Sequence, residues 1–172
     1  MRAAHVALPT VAGGLALALL VSADAGADSV LIADRSESSL PAHVDLTGAQ
    51  YANDLDGFSA RLTVRDLVPR TTTVGFTLTF PKTGQLYRVT ATRTKAGTTT
   101  YLVTRDRGDR RAKRTCERIT VTWDDTQDRI DVHVPWSCLG DLRAPLKAQG
   151  FLGVGKSGKA DDYVKTVRVI YA

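Results

Sequence analysis

The sequence is poor in the residues that most often carry chemistry. It holds two cysteines, three histidines, two tryptophans and one methionine, the initiator. Two thiols cannot close a structural zinc site alone, and they are not spaced as Cys-x-x-Cys. No His-Glu-x-x-His and no Gly-x-Ser-x-Gly occurs, so the common zinc-hydrolase and serine-hydrolase signatures are missing. Long apolar runs are also scarce: there is one, at the N-terminus, which excludes a membrane protein of several spanning helices. At 172 residues the chain is too short for a (β/α)8 barrel, and at 43% hydrophobic it is too apolar to be disordered.

The apolar run covers residues 11–21. It follows Arg2 and precedes the small residues Ala25, Gly26 and Ala27. It is about half the roughly 20 residues that a spanning helix needs, so residues 1–27 read as a secretory signal peptide. No cysteine follows the run that could take a lipid anchor. The expected mature chain is residues 28–172, one domain with no membrane span. It keeps the net charge of +5, because Arg2 and Asp24 leave together. The expected location is secreted, extracellular or associated with the cell wall. Outside the cytosol Cys116 and Cys138 are expected to form a disulfide. A closed loop of about 20 residues contributes about 3 kcal/mol in the chain-entropy account.

The rest of the chain alternates with period two. Apolar positions recur at Phe58, Ala60, Leu62 and Val64, then at Val74, Phe76, Leu78 and Phe80. They return at Tyr87, Val89 and Ala91, at Ile119, Val121 and Trp123, at Ile130, Val132 and Val134, and at Val167, Val169 and Tyr171. Each set is one half-buried strand, and turn residues at 81–84, 95–97 and 124–129 separate them. No helical stripe appears. The expected fold is all-β: an antiparallel β-sandwich of about eight strands. Residues 34–56 and 140–162 show no alternation and read as long loops, where function often sits. Facing Trp123 to Ile130 and Val121 to Val132 keeps the apolar residues of one hairpin together. That register brings Cys116 opposite Ser137, one residue short of Cys138, and a bulge near Pro135 would close the gap.

Residues 150–157 match the phosphate-loop pattern G-x-x-x-x-G-K-S. The motif works only between a strand and a helix whose N-terminus holds phosphate, and residues 158–162 read as a turn. The expectation is a strand at 151–154 running into a glycine-rich loop. Residues 105–114 (RDRGDRRAKR) are the most basic stretch. Arg105, Arg107, Arg110, Arg111, Lys113 and Arg114 are candidate contacts for a polyanion; the alternative is a solvated loop between strands. No aromatic lies between Tyr101 and Trp123 to stack bases, so no nucleic-acid partner is expected. The aspartates at 54 and 56, at 124, 125 and 128, and at 161 and 162 lack EF-hand spacing and suit turns. No metal site and no cofactor are expected, with a structural calcium as the alternative. His43 falls in an irregular stretch and His133 on the polar face of a strand. Trp123 shares its strand face with Ile119 and Val121 and reads as core. Trp136, between Pro135 and Ser137, is the candidate for stacking on a glycan ring, or else core or cover for the disulfide.

The order of these features resembles the CBM9-like and DOMON-like β-sandwiches of small secreted bacterial proteins. The residues that carry the resemblance are Asp45, Asn53 and Asp54, the strands from Phe58 and Val74, Tyr87, and Trp123 leading to residues 128–135 and then Leu139 and Gly140. It covers most of residues 45–155. The resemblance implies a sandwich that binds sugar or haem, or serves as an accessory domain. Methionine–histidine haem ligation does not transfer, because the mature chain has no methionine. The expected function is a non-catalytic binding or envelope-associated module for a glycan or anionic cell-wall polymer. The alternatives are a small secreted hydrolase with a site built from residues 34–56 and 140–162, and a structural protein-interaction domain.

Overall fold

The alternating segments pair into two antiparallel sheets packed face to face, as seen in a computed structural model that describes residues 29–97, 99–107, 110–155 and 161–171. The leader expected at residues 1–27 lies outside the described residues, as do Lys156 and Ser157 of the phosphate-loop match. The first sheet contains β1 (Val30–Ala33), β2 (Leu46–Asn53), β3 (Gly57–Val64), β8 (Thr120–Asp124) and β9 (Arg129–Pro135), in the order β1-β2-β3-β9-β8. The second contains β4 (Thr72–Phe80), β5 (Gln85–Arg93), β6 (Thr99–Arg107), β7 (Arg110–Arg114), β10 (Leu146–Val154) and β11 (Asp162–Tyr163), in the order β11-β10-β4-β5-β6-β7. A further short strand, β12 (Val167–Val169), pairs with the first half of β10. The fold is therefore an all-β sandwich. Among the described residues no helix is long and apolar enough to cross a membrane.

The core lies between the sheets. Phe58 of β3 meets Phe76 of β4 edge to face across the interface, with ring centroids 5.6 Å apart. Tyr51 of β2 stacks on Phe58, and its hydroxyl accepts the Gly150 N–H of the opposite sheet at 2.8 Å. Burial pushes the Tyr51 phenol well above its ordinary value. Gly150 is required here: a Cβ would stand 2.7 Å from the Tyr51 hydroxyl.

Three stretches expected as loops contain strands. Residues 34–56 include β2, whose alternation is broken by a register shift between Leu46 and Gly48. The inward positions then run Leu46, Ala49, Tyr51 and Asn53, which hides the period. Residues 140–162 include β10. Its inward positions Ala148 and Gly150 are small, while its large Phe151 lies on the outer face across Gly75, which inverts the apparent pattern. Of residues 105–114, 105–107 lie in β6 and 110–114 form β7, with Val103 paired to Arg114 and Arg107 to Arg110. Ladder hydrogen bonds need no apolar side chains at a sheet edge, and basic residues discourage further pairing there.

The β8–β9 hairpin has the expected register, Val121 to Val132 and Trp123 to Ile130. Cys116 and Cys138 are joined in a disulfide with Cα atoms 5.9 Å apart. No bulge at Pro135 brings them together. The one-residue gap is absorbed by a 3-10 turn, Trp136–Leu139, which begins where β9 ends.

Candidate functional site

The two outer faces of the sandwich differ in charge. On the five-stranded sheet, neighbouring strands line up two polar rungs. One runs Ala52, Ser59, His133, Thr120; the other runs Gln50, Arg61, Asp131, Thr122. They line an open depression of about 390 Å3. Ser59 Oγ lies 3.0 Å from His133 Nδ1. Arg61 Nε meets Asp131 Oδ1 at 2.7 Å, and Arg129 Nε meets Asp131 Oδ2 at 2.9 Å. Arg129 also reaches Asp124 Oδ2 at 3.4 Å. The Thr126 hydroxyl and the N–H groups of Thr126 and Gln127 donate to Asp124 and hold its carboxyl below the ordinary range. Two arginines thus face two aspartates.

The Ser59–His133 contact invites comparison with a hydrolytic pair. Among the described residues no carboxylate bonds to His133, and both oxygens of Asp131 are held by arginines. A nucleophile also needs an oxyanion pocket. On a sheet face the backbone N–H groups lie in the sheet plane and are used by the ladder.

The outer face of the seven-stranded sheet is cationic. Register aligns Arg168, Lys147, Thr79 and Leu86 on one rung, and Gln149, Thr77, Arg88 and Thr104 on the next. Lys82, in the β4–β5 turn, joins Lys147 and Arg168 around a pocket of about 250 Å3 walled by Pro81 and Pro145. Among the described residues none of these three cations pairs with a carboxylate. The third rung carries Tyr163, Phe151 and Gly75. The Phe151 ring is covered by the Arg88 guanidinium, 4.6 Å above its centroid. Tyr163, 51% exposed, lies beside it at 5.9 Å.

The six basic residues singled out in the sequence sit at the edge of this same sheet, and register divides them. Lys113 pairs with Thr104 on the rung of Arg88, and Arg111 pairs with Asp106 on the rung of Leu86. Arg105, Arg107, Arg110 and Arg114 occupy the alternate positions, where Arg105 shares the rung of Tyr87 and Arg114 that of Val103. Their side chains lie outside the described residues.

The structure corrects the role considered for Trp136. Its side chain is 2% exposed, packs between Phe80 and Tyr171, and donates its indole N–H to the Asp54 carbonyl at 2.9 Å. A ring enclosed in this way offers no face to a glycan. Trp123 is half-buried against the core, with the Arg93 guanidinium 4.7 Å above its ring. Arg93 in turn grips both oxygens of Asp125 and the Val68 carbonyl.

The aspartate groups serve as turn and strand acceptors. Asp54 accepts from the N–H of Asp56 and Gly57, Asp128 from Leu67, and Asp161 from Val154. Among the described residues no three His, Cys, Asp or Glu side chains converge to hold a metal. His43 lies beside Arg70, whose Nη1 is 2.8 Å from its Nε2; burial and that charge hold its pKa below the ordinary value.

Sequence reasoning missed Lys82, Arg88, Lys147, Arg168 and Tyr163. Each is one polar or aromatic position in a separate element, and only sheet pairing gathers them. Compared with known proteins, the chain matches no protein-family model, and no curated protein is significantly similar to it.

Proposed function

We propose that this chain is a secreted, non-catalytic module that binds an anionic polymer of the cell envelope through the outer face of its seven-stranded sheet. The observation that carries this reading is the gathering of Lys82, Lys147 and Arg168 from three separate elements onto one face. Like charges brought together repel one another, and a polyanion that displaces their counterions relieves that repulsion. At the edge of the same sheet, β7 adds Lys113 and Arg111 on the rungs of Thr104 and Asp106. Tyr163 adds an exposed ring at the border of the face, suited to the C–H side of a sugar. The export signal read at residues 1–27 and the oxidised cysteine pair support an extracellular setting.

The test compares the protein with its Lys82→Ser/Lys147→Ser/Arg168→Ser variant on poly(glycerol phosphate) and on a uronic-acid polymer across a salt series. The expected result is affinity that falls steeply with salt and drops about tenfold or more in the variant. Equal affinity of both proteins, or binding indifferent to salt, would overturn the reading. The second reading, a small hydrolase, draws on the Ser59–His133 contact alone. Covalent labelling of Ser59 by a fluorophosphonate probe, lost on heat unfolding, would favour it.

A further inference from the structure

The depression on the five-stranded sheet is a different kind of surface, and its geometry points to a second ligand. We infer that it is a binding site for a neutral, polyhydroxylated group such as a sugar ring. This inference does not rest on the polyanion reading, because it concerns the opposite face of the sandwich.

The first argument is charge. Arg61 and Arg129 share Asp131, and Arg129 also reaches Asp124, so the charges on this face are compensated internally. A bound anion would find Arg61 already beside a carboxylate. A bound cation would find Asp131 already held by two guanidiniums. Neither gains much, whereas a neutral ligand meets oriented donors and acceptors without disturbing the pairs.

The second argument is orientation. Asp131 fixes the Arg61 guanidinium through Nε, and among the described residues no partner takes its two terminal nitrogens, so that edge stays open to a ligand. The side chain is 49% exposed. Ser59 occupies Nδ1 of His133 and orients the ring, leaving Nε2 without a protein partner among the described residues. Gln50 donates to Ser29 through Nε2, which leaves its amide oxygen for a ligand hydroxyl. These groups stand on a grid set by the sheet, about 4.8 Å between strands and about 6.6 Å between same-face residues along a strand. A ring with hydroxyls on several edges can bond two rungs at once.

The third argument is the end of the rung. Leu31 of β1 pairs with Gln50 and is 79% exposed. It places an apolar side chain beside the polar row, as the C–H face of a sugar requires. The depression, at about 390 Å3, falls within the roughly 300–1,000 Å3 of small-molecule sites.

The experiment is a 1H–15N titration of the protein with cello-, xylo-, manno- and chito-oligosaccharides, and separately with inorganic phosphate. Each is run at low salt and at about 1 M salt, where the Debye length is about 3 Å. At least one oligosaccharide is expected to shift the amides of Gln50, Ser59, Arg61, Asp131 and His133 and to leave those of Arg88 and Lys147 in place. The shifts should persist at high salt. Affinity should fall about tenfold in His133→Ala, which removes an oriented nitrogen, and in Thr122→Lys, which fills the depression. The Lys82→Ser/Lys147→Ser/Arg168→Ser variant should bind the oligosaccharide unchanged, so failure here and failure of the polyanion reading are separate results. The inference is overturned if no oligosaccharide shifts these amides at millimolar concentration. It is equally overturned if only phosphate does so, and only at low salt.

Discussion

Removing the Cys116–Cys138 bond tests how much of this fold depends on its oxidised cysteine pair. The bond joins residues 22 apart in sequence. It ties the segment leading into β8, an edge strand whose one partner is β9, to the 3-10 turn that follows β9. For a closed loop of this size the chain-entropy relation gives about 11 cal/mol/K, or about 3.4 kcal/mol at 25 °C. Unfolding entropy near the midpoint is about 2.1 cal/mol/K per residue, so a domain of about 140 residues changes by about 0.3 kcal/mol per degree. The two together give a fall in Tm of about 11 °C. The assay is thermal unfolding, followed by circular dichroism, of the oxidised protein, the reduced protein and Cys116→Ala/Cys138→Ala. Reduced protein and double variant should both show the fall, and hydrogen exchange should quicken first in β8. A fall of less than about 4 °C in both would refute the loop-entropy argument. Alkylation of two thiols in the protein as purified without reductant would refute its premise.

Three further outcomes follow from the packing and the charges. In Gly75→Ala the new methyl meets the tip of the Phe151 ring, so the ring must lift and carry Arg88 with it. The expected cost is about 1–3 kcal/mol by urea unfolding, and Phe151→Ala in the same chain should make the pair of changes less than additive. Trp136→Ala should destabilise by about 3–5 kcal/mol while leaving ligand affinity unchanged where the protein is folded; lost binding at unchanged Tm would contradict its burial. Burial, with Asp34 and Asp45 nearby, holds the Asp162 carboxyl above its ordinary value of 3.8, against the N–H bonds from Leu46 and Tyr163. The native state therefore keeps this proton more tightly than the unfolded chain. Its contribution to stability is present below the ordinary carboxylate value and is lost as pH rises through the raised one. Denaturation midpoints of the protein and Asp162→Asn should diverge across that window and run parallel above it; a constant difference from about pH 3.5 upward would refute the assignment.

Much of the fold was legible because a sandwich strand must alternate. Phe58 to Val64, Val74 to Phe80 and Ile130 to Val134 announce their inward faces, and the Trp123–Ile130 register follows from keeping those faces together. The strands that were not legible break the rule for local reasons. A register shift moves the parity of β2, a buried aromatic sits on the outer face of β10, and β7 is an edge strand of charged residues held by backbone bonds. The fate of Trp136 was equally hidden. Pro135 and Ser137 beside it say nothing of the cage formed by Phe80, Tyr171 and the Asp54 carbonyl.

The sequence by itself determined the class of the fold, the pairing of its two cysteines and the existence of a basic segment. These depend on period, on count and on composition, which are linear properties. Only the tertiary structure decided where charge gathers and where it cancels. Arg61 and Asp131 lie 70 positions apart, and Lys82, Lys147 and Arg168 come from a turn and two distant strands. Antiparallel pairing sets them side by side because a ladder fixes the rung on which each residue stands, whatever its distance along the chain.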